Sequence, residues 1–163
     1  MSLENISKRI KEHRRYLHTI PELGFEEFKT SKYIREELEK MGYSPISILE
    51  TGTLVFIESD GSSTETYAFR ADIDALPIEE ETGVDFVSTH QGKMHACGHD
   101  GHTSILLGFA EYIKEFKPKK NLLLIFQPAE EGPGGAQYIV EQKILEKYNV
   151  KGIFGLHLFP SLK

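Results

Sequence analysis

The run NLLLIFQP at residues 121–128 leaves few folds open to this chain. Its apolar residues do not alternate with polar ones, and Pro128 closes it. Such a run reads as a strand buried on both sides, as in a sheet covered by helices. GIFGLHLFP at 152–160 reads as a second buried strand. ISILE, TLVFIES and TYAFRAD look like short strands parted by TG and SDGSST turns. Helical spacing places Leu3, Ile6, Ile10 and Leu17 on one face, and Thr30, Ile34, Leu38 and Met41 on another, with Gly42 as the stop. DGHTSILLGFAEYIKEF predicts a helix capped by Asp100, with Ile105, Phe109, Tyr112 and Phe116 along one face. GGAQYIVEQKILEKY predicts a helix with an interruption. Strands alternating with helices define an α/β layered sheet.

The 163 residues suffice for one domain with a real core, and no repeat, low-complexity segment or long linker divides them. A formal net charge of −6 argues against sequence-independent nucleic-acid binding, which needs a basic footprint. No apolar run reaches the roughly 18 residues of a membrane span, and MSLENISKRI lacks a signal peptide's apolar core. The single cysteine forms no internal disulfide. These features together predict no membrane partner and a cytoplasmic setting.

Four segments concentrate polar chemistry beside predicted strand ends: RADIDALP (70–77), HACGHDGH (95–102), QPAEEGPGG (127–135) and GLHLFP (155–160). Open α/β sheets gather ligands at the carboxyl ends of their strands, so the four can converge. If 95–99 is extended, His95, Cys97 and His99 project to one side. Thiolate and imidazole suit zinc and related metals; the alternative is a polar loop with a buried thiol. Glu130 and Glu131 are consecutive carboxylates that point in different directions, so one can hold a metal while its neighbour works as a base. IEEETG (78–83) reads instead as solvated charge. His157 is either a ligand or a core histidine bonded to a carbonyl. Asp72 and Asp74 share a side and bind metal, orient a ligand imidazole, or serve a turn.

Five blocks, RRYLHTIPELGFEEFKT, RADIDALPIEE, MHACGHDGHT, FQPAEEGPGGA and GLHLFP, closely resemble in order a family of metal-dependent amidohydrolases. The family includes hippurate hydrolases, auxin-conjugate hydrolases and N-acetyldiaminopimelate deacetylases. It sits among the aminoacylase and carboxypeptidase-G-like metallopeptidases. The resemblance implies a helix-covered mixed sheet of the zinc-peptidase and aminoacylase type. It implies two divalent metal ions (Mn, Zn, Ni or Co), with Cys97, His99, Glu131 and His157 as ligands. Glu130 would be the catalytic base and Asp74 a support behind a ligand; His95 and His102 receive no metal role. EEGPGGA with IPELGFEEFKT looks most like the N-acetyldiaminopimelate deacetylases of lysine biosynthesis. That likeness implies a small N-acyl amino acid as substrate.

The wider superfamily carries a ligand histidine where this chain has Asp72, which matches the Cys/His subfamily. Family members are more than twice as long. The expectation is therefore that residues 1–163 are the N-terminal portion of the catalytic domain, truncated before the lid and dimerisation domain and the last ligand histidine. Intact members would be homodimers. This chain would bind metal weakly, turn over little alone and tend to self-associate. Two other readings stay open: a thiol enzyme using Cys97 with His157 as base, and a non-catalytic metal-binding module.

Overall fold

A computed structural model describes residues 2–61, 63–132 and 134–159. Pro133 and Pro160, quoted within two of the motifs, lie outside the described residues. In chain order the elements are α1 (Leu3–His18), α2 (Phe28–Lys40), β1 (Ile46–Ile48), β2 (Gly52–Ile57), β3 (Thr66–Asp72), α3 (His99–Ile113), β4 (Asn121–Gln127), α4 (Gly135–Glu141), α5 (Ile144–Lys147) and β5 (Val150–Gly155). The strands form one mixed sheet in the order β1-β2-β4-β3-β5. β1 and β2 run antiparallel to their neighbours, while β4, β3 and β5 are mutually parallel.

β4 explains why its sequence does not alternate. Leu124 and Phe126 enter a core with Ile34 and Leu38 of α2 and Leu107 and Ala110 of α3. Leu123 and Ile125 enter a second core with Ile139 of α4 and Ile144 of α5. Both faces are dry, so the five positions between Asn121 and Gln127 are all apolar. The stripe Thr30, Ile34, Leu38 and Met41 is buried as its spacing predicts. Gly42 takes φ +89° past the end of α2, where a side chain would be strained. Lys143, in the left-handed region, parts α4 from α5, which is the predicted interruption.

Four expectations about element ends and faces need correction. Leu3, at the start of the α1 stripe, is exposed, whereas Ile6 and Leu17 are buried. The α3 face that meets the sheet is Leu106, Leu107, Ala110 and Ile113; Tyr112 and Phe116 are exposed, and the helix ends at Ile113. Adjacent stripes on an apolar helix share one period, so spacing alone does not choose between them. α3 is preceded by Gly98 at φ 87°, and Asp100 sits inside the first turn instead of capping it. β5 is an edge strand that pairs only with β3; its first residue, Val150, packs on the core that holds Ile144 of α5, while Ile153 and Phe154 are exposed.

α1 is fixed to the start of α3 by a buried polar cluster. The His18 Nδ1 lies 2.7 Å from Asp100 Oδ2, and its Nε2 lies 3.1 Å from Glu80 Oε1. Arg14 Nε stands 3.3 Å from the same Asp100 oxygen. Glu80, read above as solvated charge, is therefore turned inward; it also accepts from Ser88 N at 2.6 Å. The hydrogen bond to Asp100 raises His18 against the opposing effect of burial. The stabilisation this brings is complete below the imidazole's ordinary 6.5 and is lost as pH rises through the raised value. His18→Gln is expected to cost about 1–3 kcal/mol in urea denaturation at mildly acidic pH. That gap should close in alkaline buffer; a gap independent of pH would contradict the pairing.

Candidate metal centre

Because β4, β3 and β5 are parallel neighbours, their carboxyl ends open on one rim. β3 delivers Asp72 and then Asp74, with Ile73 between them buried in the core. β4 delivers Glu130 and Glu131, and β5 delivers His157. The start of α3 brings His99 over the rim, with Cys97 in the turn before it. Residues 95–98 are not extended, which corrects the assumed geometry; the left-handed Gly98 turns the chain into the helix. Cys97 and His99 still meet, through the turn and not through strand alternation.

His99 is the centre of the arrangement and is almost fully buried. Its Nδ1 donates to the Asp74 carbonyl at 2.9 Å and lies 3.2 Å from Asp74 Oδ1. Donation from Nδ1 leaves an electron pair on Nε2. That nitrogen is buried and has no hydrogen-bond partner. Around it stand Asp72 Oδ1 at 3.7 Å, Glu131 Oε1 at 3.8 Å and Glu130 Oε2 at 3.9 Å. Both glutamates thus reach the same imidazole, although their carboxylates were expected to diverge. In the neutral ring that lone pair faces carboxylates, which is repulsive unless a cation sits among them. A proton or a metal ion can be that cation, and against the opposing effect of burial the Asp74 hydrogen bond and the charges of Asp72 and Asp74 raise the imidazole.

Cys97 Sγ lies 3.5 Å from His157 Nε2, and His157 Nδ1 donates to Leu158 O at 2.8 Å. Donor atoms sharing one ion stand about 3–4.5 Å apart. Three groups of described residues have donor atoms within 4.8 Å of one another: Cys97, His99 and His157; His99, Glu130 and Glu131; and Asp72, His99 and His102. His102 is already committed, however. It accepts from Leu158 N at 2.9 Å on Nε2 and lies 2.5 Å from Asp72 Oδ1 on Nδ1. His95 lies outside all three groups, and burial pushes it down to about 4, so it is neutral.

Asp74 ties the site together. Beyond His99, its Oδ2 accepts from Glu131 N at 2.8 Å. Arg70 braces the neighbouring rung, donating to Asp72 Oδ2 at 2.8 Å and Gln127 Oε1 at 2.9 Å. Burial alone would raise both aspartates. The His102 hydrogen bond and the charges of His99 and Arg70 outweigh it at Asp72. Hydrogen bonds from His99 and the 130–131 backbone outweigh it at Asp74. Both carboxyls are held below their usual range. Burial, followed by the charge and hydrogen bonding of Glu131 and the charges of Asp72 and Glu130, pushes the Cys97 thiol up to about 12. Hard and soft donors beside surplus negative charge suit a divalent transition metal.

Sequence reasoning brought forward Cys97, His99, Glu130, Glu131, His157 and Asp74, and the fold gathers all six at this rim. It missed the clamp formed by Arg70 and the anchoring of Asp72 by His102. The three-residue spacing of His99 and His102 on one helical face was the available signal. Nothing local marked Arg70.

Residues 68–163 match the model of peptidase family M20/M25/M40. The chain is 48% identical over 149 residues to the N-acetyldiaminopimelate deacetylase of Shouchella clausii, and 49% over 150 residues to that of Bacillus subtilis. Each alignment takes in 91% of this chain and 40% of the relative, so the chain spans about two-fifths of their length. The fold superposes on the crystal structure of the Bacillus subtilis YXEP protein, described as a dinuclear metal-binding peptidase of the M20 family. There the TM-score is 0.92 at 40% identity, covering 98% of this chain and 45% of that one. Fold, rim chemistry and sequence agree, and the chain belongs to peptidase family M20/M25/M40.

Proposed function

We propose that residues 1–163 form the N-terminal portion of the catalytic domain of a metal-dependent amide hydrolase acting on N-acyl amino acids. N-acetyldiaminopimelate, in lysine biosynthesis, is the substrate most consistent with the named relatives. The observation that carries the reading is the buried, unpartnered Nε2 of His99 among three carboxylates. Cys97, His99, Glu131 and His157 would hold two divalent ions. When bound, such ions supply a Lewis acid for the amide carbonyl and acidify water near neutral pH.

The chain's own residues do the rest. Glu130 is partly exposed, so its carboxylate can meet both solvent and substrate. It takes the proton of the attacking water as the carbon–oxygen bond forms. It then delivers that proton to the amide nitrogen as the carbon–nitrogen bond breaks, releasing a carboxylic acid and a free amino acid. Asp74 fixes the His99 tautomer and the backbone of Glu131. A cleft of about 530 Å³ bordered by Cys97, His157, Phe86 and Arg14 adjoins these groups and offers room for substrate.

The contact between Cys97 and His157 also raises the thiol-enzyme reading. A nucleophilic cysteine needs a depressed thiol pKa, and here burial and carboxylates push it up to about 12. The geometry therefore favours a ligand. Chelation separates the two readings: we expect it to abolish hydrolysis, with recovery on adding Mn or Zn, whereas a thiol enzyme would persist.

We expect the purified chain to bind divalent metal by elemental analysis and to show little deacetylation alone. Fusing it to the remaining sequence of a full-length relative should restore turnover. In that chimera, Glu130→Gln should lower kcat by about 10²–10⁴-fold with metal content unchanged. Full activity in the variant would remove Glu130 from the mechanism.

A further inference from the structure

The segment PELGFEEFKT (21–30) carries two buried carboxylates, and they divide their work. Helix α2 begins at Phe28, so the N–H groups of its first turn need acceptors. Glu22 supplies them, accepting from Lys29 N at 3.2 Å, Thr30 N at 2.9 Å and Thr30 Oγ1 at 3.0 Å. Glu27 stands at the N-cap position, yet its side chain makes no capping bond. Relieved of that task, it turns into the interior and is 0% exposed. There it accepts from Thr51 Oγ1 at 2.6 Å and from Ala129 N at 2.8 Å.

Ala129 is the hinge of the loop that presents Glu130 and Glu131. It is buried and held at φ 52°, a costly conformation for a residue with a Cβ. Its carbonyl accepts from Gly135 N at 2.8 Å, and a Cβ on Gly135 would stand 1.9 Å from Pro128 O. Behind it lies Gly24, whose Cβ would approach Ala129 to 3.0 Å. On the other side of Glu130, Glu131 N is held by Asp74. The loop is thus gripped at two backbone N–H groups by two buried carboxylates, and Glu130 lies between the grips.

We propose that Glu27 is a positioning residue, which acts through Ala129 N–H to set where Glu130 and Glu131 present their carboxylates to the metal ions. This rests on the metal-site reading above. Replacing the carboxylate by an amide keeps its bulk but removes one acceptor and sets an N–H₂ group beside a peptide N–H or the Thr51 hydroxyl. The loop then loses a grip while the Cys97 and His157 side of the site does not.

Cobalt(II) titration of the purified chain tests this, using Glu27→Gln, Glu131→Gln and the double variant. The expected result for Glu27→Gln is an unchanged circular dichroism spectrum, a retained thiolate-to-cobalt absorption band, and affinity weakened by about 10-fold, the lower end of the effect of losing a support behind a ligand. In the Glu131→Gln background the same change should add little further loss, because one acts through the other. Wild-type affinity in Glu27→Gln, or a loss repeated in full in the double variant, overturns the proposal. If Glu27→Gln does not fold, Thr51→Val, which removes only the hydroxyl on Glu27, takes its place in the same cycle; unfolding of both assigns Glu27 to stability and overturns the proposal too. A wild-type chain without cobalt affinity would overturn the metal-site reading and this one together.

Discussion

The last rung of the β3–β4 ladder, where Asp72 pairs with Gln127, fixes everything above it. A parallel ladder ends both strands on the same rim, so the residues that follow them meet in space. Arg70 locks that rung by donating to a side chain on each strand. Shifting the register by one residue would turn Asp72 toward the opposite face and draw Asp74 away from His99. The double burial of β4, with α2 and α3 on one face and α4 and α5 on the other, makes such a slip costly.

Upon that frame, the rim is built by crowding like charges and supplying few cations from the chain. Asp72, Asp74, Glu130 and Glu131 all lie close to one imidazole, either at its Nδ1 or around its Nε2. The chain answers part of this with backbone donors at Asp74 and with Arg70 at Asp72. In the reading proposed above, the remainder, at His99 Nε2 and Cys97, is what a bound metal would satisfy. The same carboxylates that hold the thiol protonated in the bare chain become its partners when a divalent charge is present. One set of residues therefore argues both for a cation and against a nucleophilic cysteine.

The buried polar residues around the rim do related work at longer reach. His18, Asp100 and Glu80 bind α1 to the first turn of α3, and that turn carries His99. Glu22 caps α2 from outside the helix, leaving Glu27 to enter the core beneath the glutamate loop. Unpaired burial of such groups costs several kcal/mol in general (about 1–3 for each unsatisfied polar atom). Their hydrogen bonds therefore specify geometry as much as they stabilise it.

Much of this was legible in the sequence. The α2 stripe, the interrupted helix after residue 134 and the two-faced character of β4 all follow from local periodicity, because each element's own residues record which sides are dry. The chemistry of Cys97, His99, Glu130, Glu131 and His157 was legible too, since donor type belongs to the residue and not to the fold. Tertiary structure alone decided which stripe of α3 faces inward, that β5 is exposed, that Glu80 turns in toward His18, and that Glu27 reaches Ala129. Those outcomes depend on partners from distant parts of the chain, brought together by strand order and register. A residue's own neighbours carry no record of what lies across the sheet.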